Sequence, residues 1–112
     1  MNKLCFSPMA KNDLVEIKSY ITDELQNPSA AVNVLTRITK KLRLLIDFPH
    51  MGAVLSSIIN IETGYRFLVC GKYTAFYRYN DKTIYIARIL YGCRDFMKIL
   101  FYDSSIDDEI ED

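Results

Sequence analysis

The spacing of apolar residues changes partway along the chain, and this change constrains the fold more than any other feature of the sequence. Between residues 10 and 45 apolar residues recur every three or four positions, whereas from Gly64 onward they alternate and β-forming residues dominate. A chain of this kind places helices in its first half and strands in its second half. Its 112 residues, 50% of them apolar, suffice for one domain with one core.

At two positions a serine or an asparagine directly precedes a proline, and these positions predict where the helices begin. Ser7-Pro8 and Asn27-Pro28 each provide an N-cap and a first helical residue that needs no hydrogen-bond donor. The second helix is expected to end before Pro49. Few polar residues separate the two helices, so we expect an antiparallel hairpin. The predicted apolar stripes are Ala10, Leu14, Ile17, Ile21 and Leu25 in the first helix, and Ala31, Leu35, Ile38, Leu42 and Leu45 in the second.

The second half of the chain predicts a three-stranded antiparallel meander. Short turns at Gly71-Lys72 and Asn80-Asp81-Lys82 separate its strands. The predicted fold class is therefore α+β, with an N-terminal strand and the helical hairpin packed on a C-terminal antiparallel β-meander. The predicted strands are Lys3–Phe6, Tyr65–Cys70, Tyr73–Tyr79 and Thr83–Tyr91, residues 50–63 are expected to form a loop that could hold one short element, and residues 94–102 a terminal helical turn or two.

The two faces of the meander follow from the assumed strand pairing. A two-residue first turn pairs Cys70 with Tyr73, and a three-residue second turn pairs Tyr79 with Thr83. On that register an apolar face is expected to pack on the helices, and the opposite, tyrosine-rich face is expected to be exposed. The apolar face would hold Phe67, Val69, Phe76, Ile84, Ile86 and Leu90, and the exposed face Arg66, Leu68, Tyr73, Ala75, Tyr77, Tyr85, Ala87, Ile89 and Tyr91.

A tyrosine-rich exposed face has two interpretations. Tyrosine is frequent in strands, so the face could simply be solvated. Tyrosine and arginine also supply rigid, hydrogen-bonding contact area, which favours a binding surface. We favour the second interpretation because so many rings would lie on one side of a small domain.

Charge is unevenly distributed along the chain. The formal net charge is zero, but six of the 14 acidic residues lie between Asp103 and Asp112. Residues 1–102 therefore carry a net charge of +6 and are expected to form a single domain, and residues 103–112 an acidic, disordered tail. A basic body with an acidic tail favours an anionic partner, such as nucleic acid or an acidic protein segment.

Several function classes find no support in the sequence. No apolar run is long enough to span a membrane, and no export signal is visible, which favours the cytoplasm. The three cysteines, Cys5, Cys70 and Cys93, are expected to be reduced. With one histidine and scattered cysteines, neither a metal site nor a cofactor is expected. His50, the one histidine, is more simply interpreted as a cation near a helix C-terminus, and Arg88 as a structural partner of Asp95 or of a carboxylate on the helices.

The order and spacing of several segments resemble the RelE/ParE toxin superfamily over about residues 4–100. This resemblance implies the toxin of a type II toxin–antitoxin pair, neutralised by a cognate antitoxin that presents an acidic amphipathic segment. The matching segments are Phe6-Ser7-Pro8-Met9-Ala10, Asp13-Leu14, Asn27-Pro28, Phe48-Pro49-His50-Met51-Gly52, Gly64-Tyr65-Arg66, Phe76-Tyr77-Arg78 and Arg88-Ile89-Leu90-Tyr91-Gly92-Cys93-Arg94-Asp95.

Within the superfamily, RelE-like members cut mRNA on the ribosome and ParE-like members inhibit DNA gyrase without an enzymatic step. The ribonuclease pattern has an arginine after the aromatic residue that opens the middle strand, but here Thr74 follows Tyr73. A neutral hydroxyl cannot offset the charge of the transition state as a guanidinium does. If the chain were a ribonuclease, the resemblance implies Arg66, Lys72, Arg94 and Tyr102 as its catalytic residues.

The ParE-like branch fits the motifs better, although Tyr91 and Cys93 stand where histidine and arginine are usual. We therefore expect a gyrase-binding toxin, with a RelE-like mRNA endoribonuclease as the alternative. The expected partners are the antitoxin and either gyrase or the ribosome with mRNA, with no membrane; a homodimer or a toxin–antitoxin hetero-oligomer is compatible with the resemblance. The expected target- or partner-binding residues are Arg66, Tyr73, Tyr77, Tyr85, Tyr91 and Arg94.

Overall fold

A computed structural model of the chain describes residues 1–59, 63–92, 96 and 99–100. Its elements, in chain order, are β1 (Lys3–Phe6), α1 (Pro8–Ser19), a π-helical turn (Tyr20–Glu24), α2 (Pro28–Asp47), β2 (Ala53–Val54), α3 (Ser56–Ile59), β3 (Arg66–Cys70), β4 (Tyr73–Asn80) and β5 (Thr83–Tyr91). The α+β class is confirmed. The predicted terminal helix at residues 94–102 and the predicted tail at residues 103–112 lie, apart from residues 96, 99 and 100, outside this part of the chain.

Both main helices begin where the proline signals predicted. The Ser7 hydroxyl oxygen accepts a hydrogen bond from the Ala10 N–H at 2.9 Å, and the Asn27 side-chain oxygen accepts one from the Ala30 N–H at 3.1 Å. Each cap satisfies a donor that has no partner within the helix. The predicted stripe of the first helix does not extend to Leu25, which is 57% exposed, because the π-helical turn intervenes and changes the helical period.

The strands form one mixed sheet in the order β1-β5-β4-β3-β2. β1 pairs with β5 in parallel, and the remaining neighbours are antiparallel. The meander is thus confirmed, whereas the interval 50–63, predicted as a loop with at most one short element, contains both β2 and α3 among its described residues. β2 contributes only two residues and forms one edge of the sheet, so alternation was too brief to reveal it.

The predicted register of β4 and β5 is wrong. Asp81 and Lys82 form a two-residue turn with φ values of 53° and 61°, and Asn80 lies opposite Thr83. Positive φ at both central positions gives the twist that a tight hairpin requires. Tyr79 therefore faces Ile84 rather than Thr83. A bulge between Phe76 and Tyr77 then shifts the pairing by one more residue, so that Ala75 lies opposite Ile89 instead of the predicted Ala87. After these two one-residue shifts, Tyr73 and Ala75 again share a face with Ile89 and Tyr91, as predicted.

The assignment of the two sheet faces is inverted. The face that carries Tyr77, Ala75 and Leu68 packs on the helices, and Tyr77 and Ala75 are 0% exposed. Alanines at the contact, including Ala10 and Ala31 on the helices, leave room for large rings between the two layers. The buried rings can be accommodated because their hydroxyls have partners at the margins of the core.

The opposite sheet face carries a second, smaller core. Leu55, Phe76 and Leu90 are buried there, and the ring of Phe96 stacks on Phe76 with centroids 5.5 Å apart. Ile84 and Ile86, which were predicted on this face, belong instead to the core under the helices. Residues that complete this second-face cluster are Tyr65, Phe67, Ile99 and Leu100.

Candidate target-binding surfaces

Arg66 and Tyr77 together hold the loop between α2 and β2. The Arg66 guanidinium donates to the carbonyl oxygens of Gly52 at 2.7 Å and His50 at 3.3 Å. The Tyr77 hydroxyl donates to the Pro49 carbonyl oxygen and accepts from the Gly52 N–H, both at 2.9 Å. Arg66 and Tyr77 lie on the same sheet face, as predicted, but that face points into the protein.

Burial gives the Tyr77 phenol unusual titration behaviour. Desolvation raises the pKa of Tyr77, and the Gly52 N–H and the nearby Arg66 charge partly offset this rise. The hydroxyl is therefore held protonated and engaged with the loop. A ring that is fully buried cannot dock on a target, so the prediction that Tyr77 contacts a partner is wrong.

The loop between α2 and β2 exposes two large apolar side chains. Phe48 is 60% exposed and Met51 is 40% exposed, although Gly52 beside them is buried. Sequence reasoning did not single out either side chain as a contact residue. The one signal in the sequence was their position in Phe48-Pro49-His50-Met51-Gly52, a segment that was interpreted as the end of a helix.

Tyr73 and Tyr91 form a second aromatic feature at the end of the sheet near the first hairpin turn. Their rings meet edge to face with centroids 5.6 Å apart, and Tyr91 is 55% exposed. Burial raises the pKa of Tyr73, with smaller contributions from the phenols of Tyr91 and Tyr20. Tyr20, in the π-helical turn and 55% exposed, is therefore near Tyr73. We call Tyr20, Tyr73 and Tyr91 the tyrosine cluster.

Tyr85 lies on the opposite sheet face, away from the tyrosine cluster. It is 40% exposed and pairs with Arg78, whose guanidinium lies 5.3 Å from the centroid of the Tyr65 ring. A cation over an aromatic ring is a favourable arrangement at a partly wet surface. The tyrosines predicted to form one platform are therefore divided between the core, the cluster and this second face.

The residues implied for ribonuclease chemistry are not brought together within the described part of the chain. Arg66 begins β3 and Lys72 lies in the turn after it, so the length of β3 separates their backbones, about 13 Å at roughly 3.3 Å per residue. The Arg66 guanidinium is turned to the loop carbonyls. Thr74 is 2% exposed. Arg94 and Tyr102, the two remaining residues, lie outside the described positions.

Neither a metal centre nor a membrane helix emerges from the described residues. Across residues 1–59, 63–92, 96 and 99–100, no group of three histidine, cysteine or acidic side chains is placed to hold a metal ion. Within the same positions, no helix has the length and apolarity to cross a bilayer.

This architecture, two helices on a five-stranded mixed sheet, has a counterpart among solved toxin–antitoxin structures. A chain described as "Chromosomal ParDE TA system from P. aeruginosa" superposes with a TM-score of 0.70 and 26% sequence identity, covering 82% of this chain and 97% of that one. Comparison with curated proteins gives no match. The family model for the ParE toxin of the type II toxin–antitoxin system parDE matches residues 4–96. The chain therefore belongs to the ParE toxin family.

Proposed function

We propose that this toxin stops growth by binding and inhibiting DNA gyrase, without cutting RNA. The observation that carries the proposal concerns Arg66. Its guanidinium donates hydrogen bonds to two carbonyl oxygens of the α2–β2 loop and is therefore not directed at an RNA phosphate. Acid–base and charge-stabilising groups must surround one scissile bond to cleave RNA. Arg66 and Lys72 stand at opposite ends of β3, which disfavours the alternative of a ribosome-dependent endoribonuclease.

We place the contact with gyrase on the exposed aromatic side chains. Tyr91 and Tyr85 keep 55% and 40% of their surface exposed, and the rings of Tyr73 and Tyr91 pack edge to face. Tyrosine at an accessible position contributes contact area at little cost in conformational entropy. Arg94 stays in this proposal as the residue that follows β5. Arg66 has an indirect role in it, since it holds the loop that presents Phe48 and Met51.

A cognate antitoxin is the second proposed partner, and the cytoplasm, where gyrase acts, is the proposed location. The basic body of the toxin, with a net charge of +6 over residues 1–102, favours an antitoxin segment that combines acidic and apolar side chains. Such a complex should weaken as salt rises because part of its attraction is between charges. A toxin–antitoxin hetero-oligomer is the expected assembly.

Induced expression in growing cells, with DNA damage signalling and mRNA integrity measured in the same culture, tests the proposal. We expect damage signalling to rise while messages remain whole. A matched culture that expresses Tyr91→Ala should show a weaker response at equal protein level. Messages cut within the ribosomal A site, with cuts that disappear in Arg94→Ala, would establish the ribonuclease alternative instead.

A further inference from the structure

A groove of about 400 Å³ runs between β1 and α2, far from the tyrosine cluster. Leu4 and Phe6 line it from β1, and Thr39 and Ile46 line it from α2. Leu4 and Phe6 are each only partly buried, so apolar surface remains open to an occupant. Thr39 and Ile46 are about 10 Å apart along α2 at roughly 1.5 Å per residue, so the groove can accept more than one side chain of an extended segment.

Among the described residues, no strand pairs with the outer hydrogen-bonding edge of β1, the strand that borders this groove. β1 is the last strand of the sheet on its side. The Lys3 N–H donates to the Lys82 carbonyl at 2.8 Å, and the Ser7 N–H donates to the Ile86 carbonyl at 2.9 Å. In a parallel ladder alternate residues point at the neighbouring strand, so Leu4 and Phe6 direct their N–H and C=O groups away from β5. Such an edge is a template for one more strand.

The charges that line the groove are positive. Lys3 and Arg43 are both exposed, and neither makes an ion pair with any residue in the described part of the chain. The two uncharged polar side chains of the lining already have partners. Asn2 donates to the Ile46 carbonyl and accepts from the Tyr79 hydroxyl, and the Thr39 hydroxyl donates to the Leu35 carbonyl. A segment that fits this groove is therefore extended and acidic, with apolar side chains on one face.

The chain carries such a segment at residues 104–112. In an extended conformation Ile106, Asp108 and Ile110 share one face, whereas Asp107 and Glu109 project from the other. The two isoleucines suit the apolar lining between β1 and α2. Acidic groups on both faces of the strand can meet Lys3 on one side and Arg43 on the other.

The segment is also long enough to reach the groove. Leu100 packs in the second-face cluster with Leu90. Leu90 lies four residues, about 13 Å, along β5 from Ile86, the partner of Phe6, and β1 is about 4.8 Å beyond β5. Six extended residues span about 20 Å, so Ile106 can arrive at the edge of β1 from Leu100.

We propose that residues 104–112 pair with the free edge of β1 in the same molecule and fill the β1–α2 groove. The toxin thereby covers its own open strand, which would otherwise template pairing with another chain. This goes beyond the proposed function and is independent of the target, since it concerns a surface away from the tyrosine cluster.

Carbodiimide cross-linking of the full chain, followed by mass spectrometry of the monomer, tests the placement. The reagent joins a lysine amine to a carboxylate that lies beside it. We expect Lys3 to be linked to carboxylates between residues 107 and 112 within one molecule, and Lys18, an exposed lysine on α1, to remain free of these links. Links from Lys18 at equal yield, or tail links to Lys3 found only in dimers, would overturn the proposal.

Amide hydrogen exchange of the same full chain tests the pairing itself. We expect the Leu4 and Phe6 amides to exchange at least about 10-fold faster in the double variant Ile106→Asp/Ile110→Asp than in the parent chain. The amides of Leu42 and Ile84, deep in the main core, are the internal control for an intact fold. Unchanged exchange at Leu4 and Phe6, with the control amides protected, would overturn the pairing.

Discussion

The guanidinium of Arg88 on β5 donates two parallel hydrogen bonds to the carboxylate of Asp13 on α1, from Nε to Oδ2 and from Nη2 to Oδ1, each 2.8 Å long. The same Asp13 accepts a hydrogen bond from the Ile89 N–H at 2.9 Å. β1 ends at Phe6, opposite Ile86, and does not reach Ile89. The Asp13 carboxylate therefore takes the place of a strand partner for the Ile89 N–H. Arg88 was predicted to pair with Asp95 or with a carboxylate on the helices. It pairs with Asp13 on α1, whereas Asp95 lies outside the described residues.

Loss of this pair should destabilise the fold strongly. We expect Arg88→Ala to lower the free energy of unfolding by about 3–5 kcal/mol, because the buried Asp13 carboxylate loses its charged partner. Arg88→Lys should recover only part of the loss, since an ammonium cannot make both parallel contacts. Urea unfolding monitored by circular dichroism measures this. Arg78→Ala, an exposed arginine on β4, is the control, and an equal loss in both variants would contradict the assignment.

Removal of a single hydroxyl should loosen the α2–β2 loop. Tyr77→Phe leaves the Pro49 carbonyl and the Gly52 N–H without their partner, which we expect to cost about 1–3 kcal/mol of unfolding free energy. Tyr85→Phe removes an exposed hydroxyl and should change stability by less than about 0.5 kcal/mol. Chemical denaturation of both variants is the measurement. Equal stability of Tyr77→Phe and the parent chain would show that the hydroxyl does not hold the loop.

Stability should fall in mildly alkaline solution. Burial raises the pKa of both Tyr77 and Tyr73 in the folded chain, whereas an unfolded tyrosine has a pKa of about 10. Below about pH 10 these tyrosines are protonated in both the folded and the unfolded chain, and their contribution to the free energy of unfolding is fully present. Above about pH 10 they lose their protons first in the unfolded chain, so the free energy of unfolding falls.

The measurement is the urea midpoint as a function of pH between about 9 and 11. We expect the midpoint to decline over this range and to decline less steeply in Tyr77→Phe, which cannot ionise at that position. A slope that is the same in the parent and in Tyr77→Phe would refute the role of buried Tyr77.

Gly52 should tolerate no side chain. A Cβ at this position would lie 2.6 Å from the Phe67 carbonyl oxygen and 2.6 Å from the Tyr77 hydroxyl. The Phe67 oxygen belongs to the backbone and cannot move aside, so we expect Gly52→Ala to cost about 3 kcal/mol. Gly64→Ala meets no atom within 4 Å and should lose only roughly 1 kcal/mol through its φ of +80°. Thermal unfolding that ranks the two variants in the opposite order would contradict this account.

The main helices and the longer strands could be predicted from the sequence because each has a local cause. Ser7-Pro8 and Asn27-Pro28 begin helices through their own caps, and alternation from residue 65 onward predicts strands with ends within about one residue. The two-residue β2 could not be predicted, since it exists through pairing with Phe67 and Arg66 rather than through its own pattern.

The candidate surface was predicted less well because its side chains depend on register. Asp81-Lys82 adopts a turn that usually contains glycine or asparagine, so a longer turn was the natural expectation. Because of that one-residue error, and because the bulge at Phe76/Tyr77 was not predicted, the first half of β5 was assigned to the wrong face relative to β4. The choice of which face meets the helices depended on tertiary contacts, such as the small Ala10, Ala31 and Ala75, that no local pattern displays.

Gyrase-catalysed supercoiling of relaxed plasmid, titrated with the purified toxin, tests the central claim most directly. We expect supercoiling to stop, or cleaved DNA to accumulate, as toxin approaches and exceeds the gyrase concentration, and Tyr91→Ala to shift the titration to higher concentration. The same preparation should leave ribosome-bound mRNA intact. Normal supercoiling in a clear excess of folded toxin would contradict the claim.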